Sequence, residues 1–291
     1  MTAFVTRFAP SPTGFLHLGH AFSALTAFRI ARARGGRFLL RIEDIDAGRC
    51  RPEFEAAILE DLRWLGLAWE EPVRRQSERL ADYAGVVARL VEEGLAYRCF
   101  RTRRETLDEI ARAPHLAPSG PEGPVFFGAP LDPAEEEERL ASGAPYALRL
   151  SIVAARRRLG AALDALTYTE EMADGSMRRV PVRAGLFGDA VIARKDAGAS
   201  YHLAATHDDA IAGVTHVIRG EDLAPAAHLH RVLQALAGWP APVYRHHRLV
   251  TDETGRRLAK RDKAATLRSL RESGVTPAEI EARLFGDGAR G

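Results

Sequence analysis

Two imidazoles three residues apart, His17 and His20, close the segment RFAPSPTGFLHLGH at residues 7–20, where a loop with Pro10, Pro12 and Gly14 gives way to an apolar periodicity. A helix that begins there presents free N–H groups and the positive end of its dipole, both of which attract phosphate. Gly14 and Gly19 allow close approach of the backbone to a ligand. Imidazole donors at this point could stabilise charge developing on phosphoryl oxygens as pyrophosphate is displaced. On its own the HLGH tetrapeptide serves equally well as a polar surface or as a metal-binding pair. A second cationic segment, Gly255, Arg256, Arg257, Leu258, Ala259, Lys260 and Arg261, follows an expected strand at residues 244–250. The ammonium of Lys260 is a compact charge with three rotatable donors, suited to gripping the β- and γ-phosphates of ATP. Read alone, this is a basic loop. Three acids, Glu43, Asp44 and Asp46, end the apolar run RFLLRIEDI at residues 37–45, where isolated acids ordinarily cap or pair.

The elements that must position these groups begin with a strand at residues 4–8, the loop at 9–14, and a helix carrying Leu18, Phe22, Leu25 and Phe28. Gly35 and Gly36 stop that helix, and the run from residue 37 has the continuous apolar character of a buried parallel strand, so the segment reads as a βαβ unit. Pro52 opens a helix with Phe54, Ile58, Leu62 and Leu65; Ser77 precedes another with Leu80, Val87 and Leu90. The Pro/Gly-dense stretch at 113–130 predicts a loop within an insertion. Asp132 and Pro133 predict a capped helix whose first turn absorbs the acids at 135–138, and Asp174 with Gly175 predicts a hairpin turn. Strand and helix patterns return at 190–193, 201–212, 214–218 and 226–236, and Thr276, Pro277 and Glu279 form a capping-box signature near the end. The expected fold is α/β: a Rossmann-like doubly wound parallel sheet with an inserted α+β subdomain and a short helical C-terminal segment.

Composition sets outer bounds. The 291 residues, 46% hydrophobic and 27% charged, are those of an ordinary globular chain able to bury a large core. Two cysteines, Cys50 and Cys99, fit a reducing compartment, with the cytoplasm as the default, and argue against a disulfide framework. No secretory or membrane-spanning pattern is expected. The net charge of +2 neither demands nor excludes a nucleic acid, and aromatic residues do not interleave with the clusters Arg156, Arg157, Arg158 or Arg256, Arg257, Lys260, Arg261.

HLGH at 17–20 and RLAKR at 257–261 together resemble the HIGH and KMSKS signatures of class I aminoacyl-tRNA synthetases, the second with arginine, alanine and arginine replacing lysine, serine and serine but with Lys260 kept. RFAPSPTG, RIEDID at 41–46 and HVIRGEDL at 216–223 are similar to the glutamyl branch of that class. The resemblance runs from Arg7 to about Leu267 and implies His17, His20 and Lys260 as catalytic groups; His17, Gly19, His20, Leu258 and Lys260 on ATP; and Arg7, Phe8, Ala9, Pro10, Ser11, Glu43, Tyr201 and Arg219 on glutamate. Glu43 suits the ammonium, while Arg7 and Arg219, with the Tyr201 hydroxyl, suit the side-chain carboxylate. It further implies catalytic-domain halves at 1–98 and 188–250, an acceptor-binding-like insertion at 99–187, and the KMSKS-like loop with terminal helices at 251–291. No segment remains for an anticodon-binding domain, which resembles the short glutamyl-queuosine branch. That branch implies glutamate activation by ATP with Mg2+ and without tRNA, then transfer to queuosine at the wobble position of tRNA(Asp), by a monomer with no membrane association. Members often carry zinc on a CxC pair, a tyrosine and a further cysteine; here Cys99 is followed by Phe100 and Arg101 and by no later cysteine, so no metal site is expected. The alternatives are a truncated synthetase that charges tRNA(Glu) and a non-catalytic RNA-binding paralogue.

Overall fold

The computed structural model describes residues 3–102, 104–106, 119–194, 198–251 and 265–286. Its chain order opens with β1 (Val5–Phe8), α1 (Leu18–Ala33), β2 (Arg37–Ile42), α2 (Pro52–Trp64), β3 (Glu70–Arg75) and α3 (Leu80–Glu92). β1, β2 and β3 are parallel neighbours in that order, the geometry a βαβ unit requires. All four residues of β1 are buried, as expected of a strand covered on both faces. The sheet side of α1 carries Phe22, Leu25 and Ala31, which pack in one core with Leu40, Ile42, Ile58 and Leu62. Each large side chain of that group contributes about 1.5–3 kcal/mol on burial.

β4 (Ala96–Cys99) leads into the insertion, which holds the two-residue strands β5 (Ser119–Gly120) and β6 (Gly123–Pro124), the Pro133–Ala141 helix and β7 (Ala147–Leu150). Asp132 caps that helix by accepting from the Ala134 amide, with Pro133 in its first turn, as the sequence predicts. The expected hairpin forms as β8 (Thr167–Glu171) and β9 (Met177–Pro181). Beyond it come β10 (Val191–Arg194), β11 (Gly198–Ala199), the Tyr201–Ile211 helix, β12 (His216–Gly220), the Ala226–Ala237 helix and β13 (Val243–His247). The last strand ends three residues short of the expected one.

Strand pairing cuts across the boundaries at 99 and 187. β8 and β9 extend the parallel pair β12 and β13, in the order β12-β13-β8-β9, whereas β10 and β11 complete an antiparallel sheet with β7 and β4. Thr215 joins the two parallel groups. Its amide donates to the Val5 carbonyl, its hydroxyl accepts from the Val5 amide, and its own carbonyl accepts from Val243. β1 and β12 thereby lie side by side, with β2 and β13 on their outer flanks, and their carboxyl ends form the crevice at which α/β sheets bind ligands. The terminal helices Leu267–Glu272 and Pro277–Phe285 close over α1 and α2, the second opening with the predicted Thr276/Glu279 capping box. No helix among the described residues is long and apolar enough to cross a membrane.

Candidate active site

The two histidines occupy the first turn of α1. His17 is the N-cap, its Nδ1 accepting from the Gly19 amide at 3.1 Å, and His20 Nδ1 accepts from the His17 amide at 3.2 Å. This is a capping box built from imidazoles in place of the usual hydroxyl and carboxylate. A neutral ring whose Nδ1 accepts carries its proton on Nε2, so the cap fixes both tautomers with Nε2–H as the donor. The ring centroids lie 3.9 Å apart. Gly19 gives this packing room, since a Cβ there would come within 3.0 Å of His17 Cε1 and 3.1 Å of Nδ1 and would press the ring away by a few tenths of an ångström.

Lys260 and Leu258 lie outside the described residues, but the chain on the far side of their segment returns to the histidines. Thr266 forms a bridge with His17, and the Leu267 amide donates to the Leu16 carbonyl at 2.8 Å.

Beside this end of α1, the carboxyl ends of β1, β2 and β12 bring Arg7, Glu43 and Arg219 together, with Tyr201 at the start of its helix. Arg219 is 4% exposed, and its guanidinium lies over the Tyr244 ring at 5.3 Å with Nε directed at His246 Nε2 at 3.4 Å. Its Nη1 and Nη2 are both buried without a hydrogen-bond partner. Such a group is rare in folded proteins and calls for a ligand or ordered water. Burial raises the Tyr201 hydroxyl pKa, an effect that Arg219 opposes and Glu43 reinforces.

Arg7, expected on the glutamate side-chain carboxylate, is also paired within the protein. Its Nε and Nη2 clasp Asp209 at 2.9 and 3.2 Å, so Arg7 is anchored as part of an ion-pair network. Arg41 extends that network, with Nη1 2.6 Å from the same Asp209 carboxylate and Nη2 2.9 Å from Glu43. Burial raises the Glu43 pKa, offset only in part by Arg41 and Arg7. An arriving ammonium would add a second cationic partner beside Arg41 and favour the ionised carboxylate further. Burial would also raise Asp209, but Arg7 and Arg41 outweigh it and hold the carboxyl low. The neighbouring Asp208, fully buried, accepts from Arg74, Gln76 and Tyr83. Burial opposes its ionisation, yet His207, Arg41, Arg74 and Gln76 together bring its pKa down to about 2.

The other two acids of RIEDID are structural. Asp44 receives the Ser77 amide at 2.8 Å and its hydroxyl at 2.5 Å, and Asp46 pairs with Arg49 at 2.6 Å. Sequence reasoning missed Arg41, Asp208 and Asp209. The run HDDA at 207–210 carried their signal, because two adjacent acids on an apolar helix need buried cations. Phe8 and Pro10 are buried and line the entry loop, where Pro10 accepts the Glu43 amide at 2.9 Å.

Among the described residues, those where the resemblance places zinc do not fit that metal. Cys99 is buried at the end of β4, and two residues on, the Arg101 guanidinium lies over the Phe126 ring at 5.8 Å. An arginine offers no lone pair to a cation. Among the described residues no group of three or more His, Cys, Asp or Glu gathers as a metal site. The insertion is organised instead around buried Asp189, which accepts from Tyr97 and from the Gly128 and Ile152 amides.

A family model described as tRNA synthetases class I (E and Q), catalytic domain, matches residues 3–285. The chain is 47% identical over 284 residues to glutamyl-Q tRNA(Asp) synthetase of Rhodobacter capsulatus, covering 97% of this chain and 99% of that protein. It is 37% identical over 278 residues to glutamate–tRNA ligase of Aquifex aeolicus, covering 95% of this chain but 55% of the ligase. The crystal structure of glutamate-tRNA synthetase from Elizabethkingia anophelis superposes with a TM-score of 0.78 at 29% identity, over 97% of this chain and 61% of that one.

Proposed function

The chain belongs to the class I tRNA synthetases (E and Q), and on that premise we propose that it activates L-glutamate with ATP, without tRNA, and transfers the glutamyl group to queuosine at the wobble position of tRNA(Asp). The observation that carries the amino-acid assignment is Arg219, whose two buried, unpartnered Nη groups match the two oxygens of a side-chain carboxylate. Glu43 takes the α-ammonium and Tyr201 adds a hydroxyl. Arg7, fixed by Asp209, contributes positive field at the pocket wall, and residues 8–11 form the backbone lip. An oxygen of the glutamate α-carboxylate attacks the α-phosphorus of ATP, and the bond to the β-phosphate breaks, releasing pyrophosphate. The Nε2–H donors of His17 and His20 and the α1 N-terminus stabilise the charge that leaves with it. Lys260 is six residues before Thr266, a length of chain that reaches at most about 21 Å, and this reading assigns its ammonium to the same phosphates. Leu258 belongs to the same segment. Magnesium arrives with ATP as part of the nucleotide substrate. A hydroxyl of the modified base then attacks the activated carbonyl and AMP departs.

The higher identity to the glutamyl-Q relative, 47% against 37% for the glutamate–tRNA ligase, supports the queuosine reading over tRNA(Glu) charging. The test is acceptance of labelled glutamate by tRNA(Asp) with and without queuosine, alongside tRNA(Glu). Labelling of only the queuosine-containing tRNA(Asp) is expected. Charging of unmodified tRNA(Asp) or of tRNA(Glu) would refute the assignment.

A further inference from the structure

Behind the Tyr201 and Arg219 wall runs a chain of three side chains that the proposed mechanism leaves unused. Glu122, at the turn of the β5–β6 ribbon, places Oε1 3.0 Å from His202 Nε2, and His202 Nδ1 lies 3.2 Å from His230 Nε2. His202 and His230 are 8% and 3% exposed, whereas the Glu122 side chain is 69% exposed. With a neutral His202 that donates to the carboxylate from Nε2, Nδ1 accepts, and His230 then donates from Nε2 and keeps a lone pair on Nδ1. Burial, followed by the fields of Arg219, His202, Arg7 and Arg41, pushes the His230 pKa well down, so the ring is neutral. The His230 ring lies 5.9 Å from that of Tyr201, and the His202 ring 5.3 Å from it.

The ribbon that carries Glu122 is seated firmly. A Cβ on Gly120 would come within 2.7 Å of the Leu186 carbonyl oxygen, so only glycine lets the ribbon lie this close to that segment. The Phe187 ring then packs edge-on against His202 at 5.3 Å.

We propose that Glu122 is a positioning residue for the amino-acid pocket, acting through His202 and His230 to hold Tyr201 in place, so that glutamate binding depends on the docked β5–β6 ribbon. The inference rests on the glutamate reading above. The relay orients the pocket wall but touches neither ATP nor the His17/His20 end of the crevice. Its removal therefore weakens capture of the amino acid and leaves the nucleotide steps intact.

The experiment compares wild type, Glu122→Ala, Glu122→Gln and Gly120→Ala in glutamate-dependent ATP–pyrophosphate exchange, with 15N NMR of the histidine rings read in parallel. Because Glu122 is exposed, Glu122→Ala should raise the KM for glutamate by about 3-fold, with KM for ATP and kcat unchanged. Glu122→Gln, which keeps an acceptor for His202, should fall between it and wild type. Gly120→Ala, which lifts the ribbon, should shift the KM for glutamate in the same direction. In wild type the His230 Nδ1 should resonate as an unprotonated nitrogen, and that signal should move in Glu122→Ala. An unchanged KM for glutamate in Glu122→Ala, or KM values for glutamate and ATP that rise together, overturns the positioning role. Absence of glutamate-dependent exchange in the wild type itself would be a failure of the glutamate assignment, and the ring signals would then report separately whether the relay exists.

Discussion

Replacing Arg219 by methionine separates what this residue does for the fold from what it does for the substrate. In the free protein its two Nη groups are buried without partners, and one unsatisfied buried donor costs about 1–3 kcal/mol. Methionine fills a comparable volume without polar hydrogens, so Arg219→Met should leave stability to urea unchanged or raise it by about 1 kcal/mol. The effect on catalysis should be opposite and large. Two charge-assisted hydrogen bonds to a carboxylate, at about 1.5–3 kcal/mol each, amount to ~3–6 kcal/mol, or roughly 10²- to 10⁴-fold. That loss should appear in kcat/KM for glutamate in ATP–pyrophosphate exchange, carried mainly by KM, because the side-chain carboxylate is bound alike before and during adenylate formation. Exchange within tenfold of wild type would refute the assignment of Arg219 to the carboxylate. A loss of stability above about 2 kcal/mol would show instead that the stack on Tyr244 and the Nε contact with His246 hold the fold.

Gly19→Ala should lower the exchange rate by about 10- to 100-fold through displacement of the His17 ring, while thermal stability holds or rises, because alanine favours a helix over glycine by about 1 kcal/mol; a rate within threefold of wild type would remove the imidazole from the mechanism. Asp209→Asn should destabilise the fold by about 3–5 kcal/mol in urea titrations, because Arg7 and Arg41 lose the carboxylate they share; a loss under 1 kcal/mol would show that the network is not what holds the two arginines. Burial raises Asp61 to about 6, with Arg271 at 3.5 Å offsetting only part of it. Its folded pKa lies above the unfolded value, so its favourable contribution is complete below about pH 4 and is lost as pH rises through about 6. Asp61→Asn should therefore gain ~1–3 kcal/mol at pH 8 and almost nothing at pH 4, and an equal effect at the two pH values would contradict the raised pKa.

Much of this architecture is carried by local sequence. The alternation of apolar runs with Gly and Pro stops is enough to place β1, α1 and β2, because a buried parallel strand and an amphipathic helix differ in period and length. Capping chemistry is equally local, so the Asp132/Pro133 and Thr276/Glu279 helix starts follow from residues within one turn. The candidate site residues are legible as motifs because HLGH, RIEDID and HVIRG each keep their groups within a few positions of one another.

Pairings across long stretches of chain were decided only by tertiary structure. Nothing near Arg7 shows that its guanidinium belongs to Asp209, 202 residues away, or that Arg41 divides itself between Asp209 and Glu43. The membership of β8 and β9 in the main sheet, and of β10 and β11 in the other, depends on edges that local pattern does not label. Ser77, in the turn that leads into α3, gives its amide and hydroxyl to Asp44, 33 residues earlier. Burial is also a property of the whole fold. It separates Glu43, a carboxyl with a raised pKa facing the pocket, from Asp44 and Asp46, two acids of the same hexapeptide that serve only as hydrogen-bond partners. A sequence lists which charges exist, but the dielectric around each one, and therefore its chemistry, is set by everything that packs against it.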